Sequence, residues 1–202
     1  MISKETKIYG LVLAGGKSVR MGHDKSVIEW HGKEQRYFVA DILQPFCEEV
    51  YISCREEQQN EIDSAYKTLT DSFDLKGPAA GILTALSKHE DATWLVVACD
   101  LPLLDKETLQ YLIDNRDASK VATTYKSPHD GLPEPLITIW EPAAKEALLS
   151  FVETGHSCPR KALINSDTHI IEPKNADALI NANTPEDAER VRNILADKMK
   201  TV

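Results

Sequence analysis

The stretch Leu13-Ala14-Gly15-Gly16-Lys17-Ser18-Val19-Arg20-Met21-Gly22-His23-Asp24-Lys25 gathers glycines and cations into one short segment. Glycines there let backbone N–H groups approach phosphate oxygens with no Cβ in the way. Arg20 offers a planar bidentate fork and Lys25 a point charge, the two standard side-chain partners of phosphate. The segment is neither a Walker A loop nor a dinucleotide fingerprint. A glycine turn with solvated cations is the bland alternative. Arg20, Gly22 and Lys25 on one loop after an apolar run favour phosphate binding.

Three further groups could join that chemistry. Cys99-Asp100-Leu101-Pro102 puts a carboxylate directly after an apolar run. Mg²⁺ is commonly held by one or two carboxylates plus substrate phosphates, so Asp100 is the candidate metal ligand, unless it only caps the helix that follows Pro102. Asp71, with Gly77-Pro78-Ala79-Ala80-Gly81, is placed to touch a ribose, a base or the metal, although such composition also describes a simple turn. Asn181-Ala182-Asn183-Thr184-Pro185-Glu186-Asp187 contains a helix start, with Thr184 as cap and Pro185 in the first turn. That start leaves Asn181 unexplained, and asparagine amides can read a heterocycle edge.

These residues need a scaffold, and the hydrophobic pattern supplies one. Residues 8–13 and 94–99 are near-continuous apolar runs of the kind found in strands buried on both faces. Further strands are expected at 50–54, 67–70, 121–125, 136–139 and 169–172. Helices are expected at 34–45, 56–65, 79–86, 107–115, 142–152, 157–164 and 185–199. Alternating strands and helices with short links predict a three-layer α/β/α, Rossmann-like fold with a mainly parallel sheet. Ligands of such sheets bind at the carboxyl ends of strands, which independently selects Gly15-Gly16 and Asp100.

The chain has 202 residues, and a domain typically takes roughly 100–200, so one domain spanning 1–202 is expected. A net charge of -9 disfavours nucleic-acid binding and means an anionic ligand must be held by local features. No apolar run approaches the ~18 residues of a membrane span, and no signal-peptide core is visible near the N-terminus. Cys47, Cys54, Cys99 and Cys158 lack metal or disulfide spacing, which suits reduced thiols and a cytoplasmic location. The six histidines are scattered without ligand spacing.

Taken together, these motifs resemble the molybdenum cofactor guanylyltransferase family of the nucleotidyltransferase superfamily. Residues 11–25 (LVLAGGKSVRMGHDK), Asp71 with GPAAG at 77–81, CDLP at 99–102 and NANTPED at 181–187 are similar to that family's motifs in order and spacing. The resemblance implies transfer of GMP from GTP to a molybdopterin-type acceptor with release of pyrophosphate. It assigns Leu13, Ala14, Gly15, Gly16 and Lys25 to GTP, Asp71 to the nucleotide, Asp100 to Mg²⁺ and the nucleotide, and Arg160, Asn181 and Asn183 to the acceptor. Gly77 and Pro78 would lie against the nucleotide, and Arg20, Lys25 and Asp100 would carry catalysis. The nucleotide half would span about 1–105 and the acceptor half about 106–202. Contact with proteins that insert or receive the cofactor would be transient.

Two departures fall in the acceptor half. Glu134-Pro135 stands where a His-Pro or Gln-Pro pair is expected, and Arg160-Lys161 stands where the family tends to carry paired arginines. The alternatives are a CTP-dependent transferase on the same acceptor, a nucleotidyltransferase acting on a sugar phosphate or phospholactate, and a nucleotide-sensing or carrier module.

Overall fold

The computed structural model describes residues 7–15 and 25–200, the side chains of Lys25 and of 198–200 excepted. Seven strands form one sheet in the order β3-β2-β1-β4-β6-β5-β7. They are β1 (Ile8–Leu13), β2 (Val50–Cys54), β3 (Lys67–Thr70), β4 (Thr93–Ala98), β5 (Ala122–Lys126), β6 (Pro133–Trp140) and β7 (Thr168–Ile171). All neighbours pair in parallel except β6, which runs antiparallel to both β4 and β5. The helices are α1 (Gln35–Leu43), α2 (Ala79–Lys88), α3 (Lys106–Asp114), α4 (Ala144–Glu153), α5 (Pro159–Ile164) and α6 (Pro185–Lys200).

Alternation along the central strands sorts side chains into two cores. Val12, Leu95 and Val97 pack with Val39 and Leu43 of α1 and Leu109 and Leu112 of α3. Leu11, Trp94 and Val96 face the other way, onto Ile82 and Leu86 of α2, Leu148 of α4 and Leu163 of α5. Both faces of the sheet are therefore covered, which is why β1 and β4 read as unbroken apolar runs. Helix α6 lies outside these layers, its Val191 packed with Leu103 and Ala182.

Two elements differ from the sequence expectation. The acidic stretch 56–65 forms only a 3₁₀ helix, Glu56–Glu61. It lacks the apolar stripe that tertiary packing needs to hold an α-helix. β6 begins at Pro133 rather than at 136. Pro133 and Pro135 cannot donate to a ladder and so disguise a strand start. The chain tolerates them there because the β4 pairing stops at Val97 opposite Ile137.

Candidate functional site

The strand order reverses at β1: β2 and β3 lie on one side and β4 on the other. A crevice opens at such a switch point, outside the carboxyl ends of the strands. Backbone hydrogen bonds keep those ends level. Ala14 N–H donates to the Ser53 carbonyl at 3.2 Å, Asp71 N–H to the Cys54 carbonyl at 3.1 Å, and Cys99 N–H to the Leu13 carbonyl at 3.2 Å. The register thus brings Leu13, Ala14, Gly15, Asp71 and Asp100 to one edge of the sheet. Gly16 and Arg20, and the side chain of Lys25, lie outside the described residues.

Asp71 is locked in place. Ser53 Oγ donates to Asp71 Oδ1 at 2.8 Å. Burial raises the Asp71 pKa above the ordinary carboxylate value, while the Ser53 hydrogen bond and the Arg55 charge work in the opposite direction. Gly81, in the first turn of α2, permits this arrangement: a Cβ there would lie 2.5 Å from Ser53 Oγ and 3.3 Å from Asp71 Oδ1. A Cβ on Gly15 would lie 3.6 Å from Asp71 Oδ2, so the backbone at Gly15 passes close to this carboxylate. Pro78 caps α2, and Gly77 before it adopts a left-handed φ of 79°. Ser53, Arg55 and the packing role of Gly81 were not visible in the sequence, because they depend on which strands are neighbours.

Asp100 follows β4. It does not cap the next helix, since Asp105 does so by accepting the Thr108 N–H at 2.8 Å. The segment after Asp100 is tied to α1 through Gln35 Nε2, which donates to the Leu101 carbonyl at 3.2 Å. It is also tied to the asparagine loop, where Ala182 N–H donates to the Asp100 carbonyl at 2.9 Å. Among the described residues no group of three or more His, Cys, Asp or Glu side chains gathers to hold a metal. A half-buried carboxylate at a strand end, as Asp100 is, fits Mg²⁺ completed by water and substrate phosphates.

Arg160, Asn181 and Asn183, the residues expected to bind an acceptor, line one cavity of about 470 Å³ together with Glu134, Arg190 and others. A second hollow of about 410 Å³ shares Glu134, Arg160 and Asn181 with it and reaches Pro78. Arg160, the second residue of α5, spends its guanidinium on two carboxylates: Asp130 at 2.6 Å and Glu134 at 3.1 Å. Continuing the β4–β6 register three residues beyond its last pair sets Glu134 opposite Asp100. Burial raises the Glu134 pKa. Arg160 opposes that shift, and the charges of Asp100 and Asp130 add to it. Asn183 N–H and Thr184 N–H both donate to Asp187 Oδ2, and Asp187 N–H returns a bond to Thr184 Oγ1, completing the expected cap of α6.

An α/β sheet with Gly15 at its switch point, a strand-end carboxylate and an adjoining cavity has the layout of the nucleotidyltransferase class of enzymes. The chain belongs to the MobA-like NTP transferase family, whose model matches residues 10–171. It is 38% identical over 184 residues to a "Molybdenum cofactor biosynthesis bifunctional protein" of Synechocystis, covering 91% of this chain but only 53% of that one. A "Probable molybdenum cofactor guanylyltransferase" of Natronomonas pharaonis is 33% identical, with 93% of this chain and 98% of that protein covered. The crystal structure of "Molybdopterin-guanine dinucleotide biosynthesis protein A" from Archaeoglobus fulgidus superposes with a TM-score of 0.78 at 26% identity. That alignment covers 94% of this chain and 99% of the other. No helix among the described residues is long and apolar enough to cross a membrane.

Proposed function

We propose that this chain transfers the GMP unit of GTP to the terminal phosphate of a molybdopterin-type acceptor. An acceptor phosphate oxygen attacks the α-phosphorus, the bond to the bridging α–β oxygen breaks, and pyrophosphate leaves. The nucleophile is already an anionic oxygen, so no general base is needed. The protein's task is to align two anions and neutralise their charge.

In this reading the backbone from Leu13 through Gly15 and Gly16 cradles the phosphates. Asp71, fixed by Ser53, accepts from the nucleoside, with Gly77 and Pro78 beside it. Arg20 and Lys25 stabilise charge on the departing pyrophosphate. Asp100 would hold Mg²⁺, which supplies Lewis acidity and charge neutralisation when bound. Asn181 and Asn183 seat the acceptor, and Arg160 acts there through the carboxylates it orients. Residues up to about 105 form the nucleotide half of a single domain, and the remainder forms the acceptor half. The enzyme works in the cytoplasm, in transient contact with proteins that deliver or receive the cofactor.

One observation carries this reading. The backbone hydrogen bond from Ala182 N–H to the Asp100 carbonyl ties the loop whose Asn181 and Asn183 line the cavity to the end of β4, which supports two substrates meeting beside Asp100. Calorimetric titration with GTP, CTP, ATP and UTP, each with Mg²⁺, tests it, followed by a pyrophosphate-release assay with acceptor. Selective GTP binding and acceptor-dependent release are expected. Preference for CTP would make this a cytidylyltransferase, and binding of no nucleotide would overturn the reading.

A further inference from the structure

Glu134 is an unusual residue to bury. Its side chain is only 5% exposed, and just one of its oxygens has a protein partner, Oε2 against Arg160. Oε1 is buried and accepts no hydrogen bond among the described residues, and the same holds for Asn181 Oδ1. Both residues line both hollows of the acceptor half. Leaving a buried acceptor oxygen without a donor costs about 1–3 kcal/mol, more when the group is charged. Two such oxygens on residues that line the same two hollows indicate donors that arrive with a ligand.

The scaffold holds Glu134 rigidly for this purpose. Its carbonyl accepts from Thr124 Oγ1 at 2.5 Å and Thr138 Oγ1 at 2.7 Å, both fully buried. Arg160 clamps the far side of the carboxylate and is itself anchored to Asp130. Asp130, Glu134, Asp177 and Asp187 outnumber Arg160 and Arg190 in the cavity lining, so it is poorly suited to the phosphate end of the acceptor. It suits a neutral, donor-bearing ring.

We propose that Glu134 and Asn181 read the donor edge of the acceptor's heterocycle. Glu134 Oε1 and Asn181 Oδ1 accept hydrogen bonds from the adjacent ring N–H and exocyclic NH₂ of a 2-amino-4-oxopyrimidine ring. A carboxylate oxygen beside an amide oxygen matches two neighbouring donors and rejects a ring that presents a carbonyl in place of the amine. Glu134 is then a specificity-determining residue that touches substrate, and Arg160 is a positioning residue that acts through it. The inference rests on the guanylyltransferase reading. Guanine carries the same donor edge as a pterin, so the test must separate the two.

The experiment follows the fluorescence of pterin and of lumazine, its 2,4-dioxo counterpart lacking the amine, on titration with the full chain, with and without saturating GTP. The wild type should bind the pterin at least about tenfold more tightly than lumazine, undisturbed by GTP. Glu134→Gln turns a donor toward the cavity. It should weaken pterin binding about tenfold or more and shift preference toward lumazine, with GTP affinity unchanged. Asn181→Ala removes the second acceptor without touching the Arg160 pair, so it covers the case in which the glutamine variant does not fold. It should also narrow the preference. An unaltered pterin-to-lumazine ratio in both variants, equal binding or no binding of the two rings by the wild type, or displacement of the pterin by GTP would overturn the inference. GTP binding is read in the same samples, so its failure would instead sink the guanylyltransferase reading.

Discussion

Strand β6 carries a buried glutamate at each end, and the two are treated in opposite ways. Glu141, just after the strand, is fully satisfied. Arg116 donates to both of its oxygens, at 2.6 and 2.8 Å, and Thr93 Oγ1 adds a third bond at 2.8 Å. Glu134, at the strand's start, shares its arginine with Asp130, and among the described residues one of its oxygens has no donor. Both side chains are almost wholly buried. The closed network joins β4, β6 and the end of α3, remote from the crevice. The open one stands beside Asp100. A carboxylate whose bonds are complete holds the fold together, whereas one whose bonds are incomplete waits for something to bind.

The largest test of that contrast is at the open end. Asp100→Ala should lower kcat by about a thousand-fold while the thermal midpoint stays close to that of the wild type. A variant with near-normal turnover would remove the metal from Asp100. At the closed end the pattern should reverse. Arg116→Ala strands Glu141 as a buried charge and should cost about 3 kcal/mol in urea unfolding, with kcat/KM for the folded fraction essentially unchanged. A large loss of specific activity there would break the division between scaffold and site.

Asp71 gives the smallest and most pH-sensitive test. Its pKa is raised by burial. The native state therefore binds a proton at Asp71 more tightly than the unfolded chain does. The stability from this residue is fully present below the unfolded pKa and is lost as pH climbs through the raised native one. Glu134 contributes in the same direction. Asp71→Asn should flatten part of that slope in mildly acidic solution and leave the thermal midpoint at neutral pH equal or higher, while KM for GTP rises. A lower neutral midpoint would mean that the Ser53–Asp71 bond serves folding rather than nucleotide binding.

Much of the fold was legible because its signals are local. The apolar runs of β1 and β4, the glycines after the first and Asp100 after the second lie within short windows, and the strand-end rule joins them without knowledge of the sheet order. Thr184, Pro185 and Asp187 announced α6 in the same way. Ser53 and Gly81 were hidden because their meeting depends on β2 and α2 being brought together by the sheet. Glu134 stood out only as an unexpected residue type. Its role needed the antiparallel register that sets it opposite Asp100 and the folding of α5 that brings Arg160 to it. The two prolines around it suppressed the strand signal where it mattered most.

The reversal of β6 has an engineering consequence. A parallel strand delivers its last residue to the crevice, and the length of the loop that follows governs what comes next. An antiparallel strand delivers its first residue, here fixed from behind by its ladder and two threonine hydroxyls. The exposed hairpin tip at 128–132 hangs outside that ladder. Provided that Asp130 is kept to anchor Arg160, its length and composition can therefore vary, or be grafted from another protein, without re-aiming Glu134. The tip reaches the cavity through Pro128 and His129 as well as Asp130, so exchanging its other residues offers a way to retune acceptor choice while the nucleotide machinery stays intact.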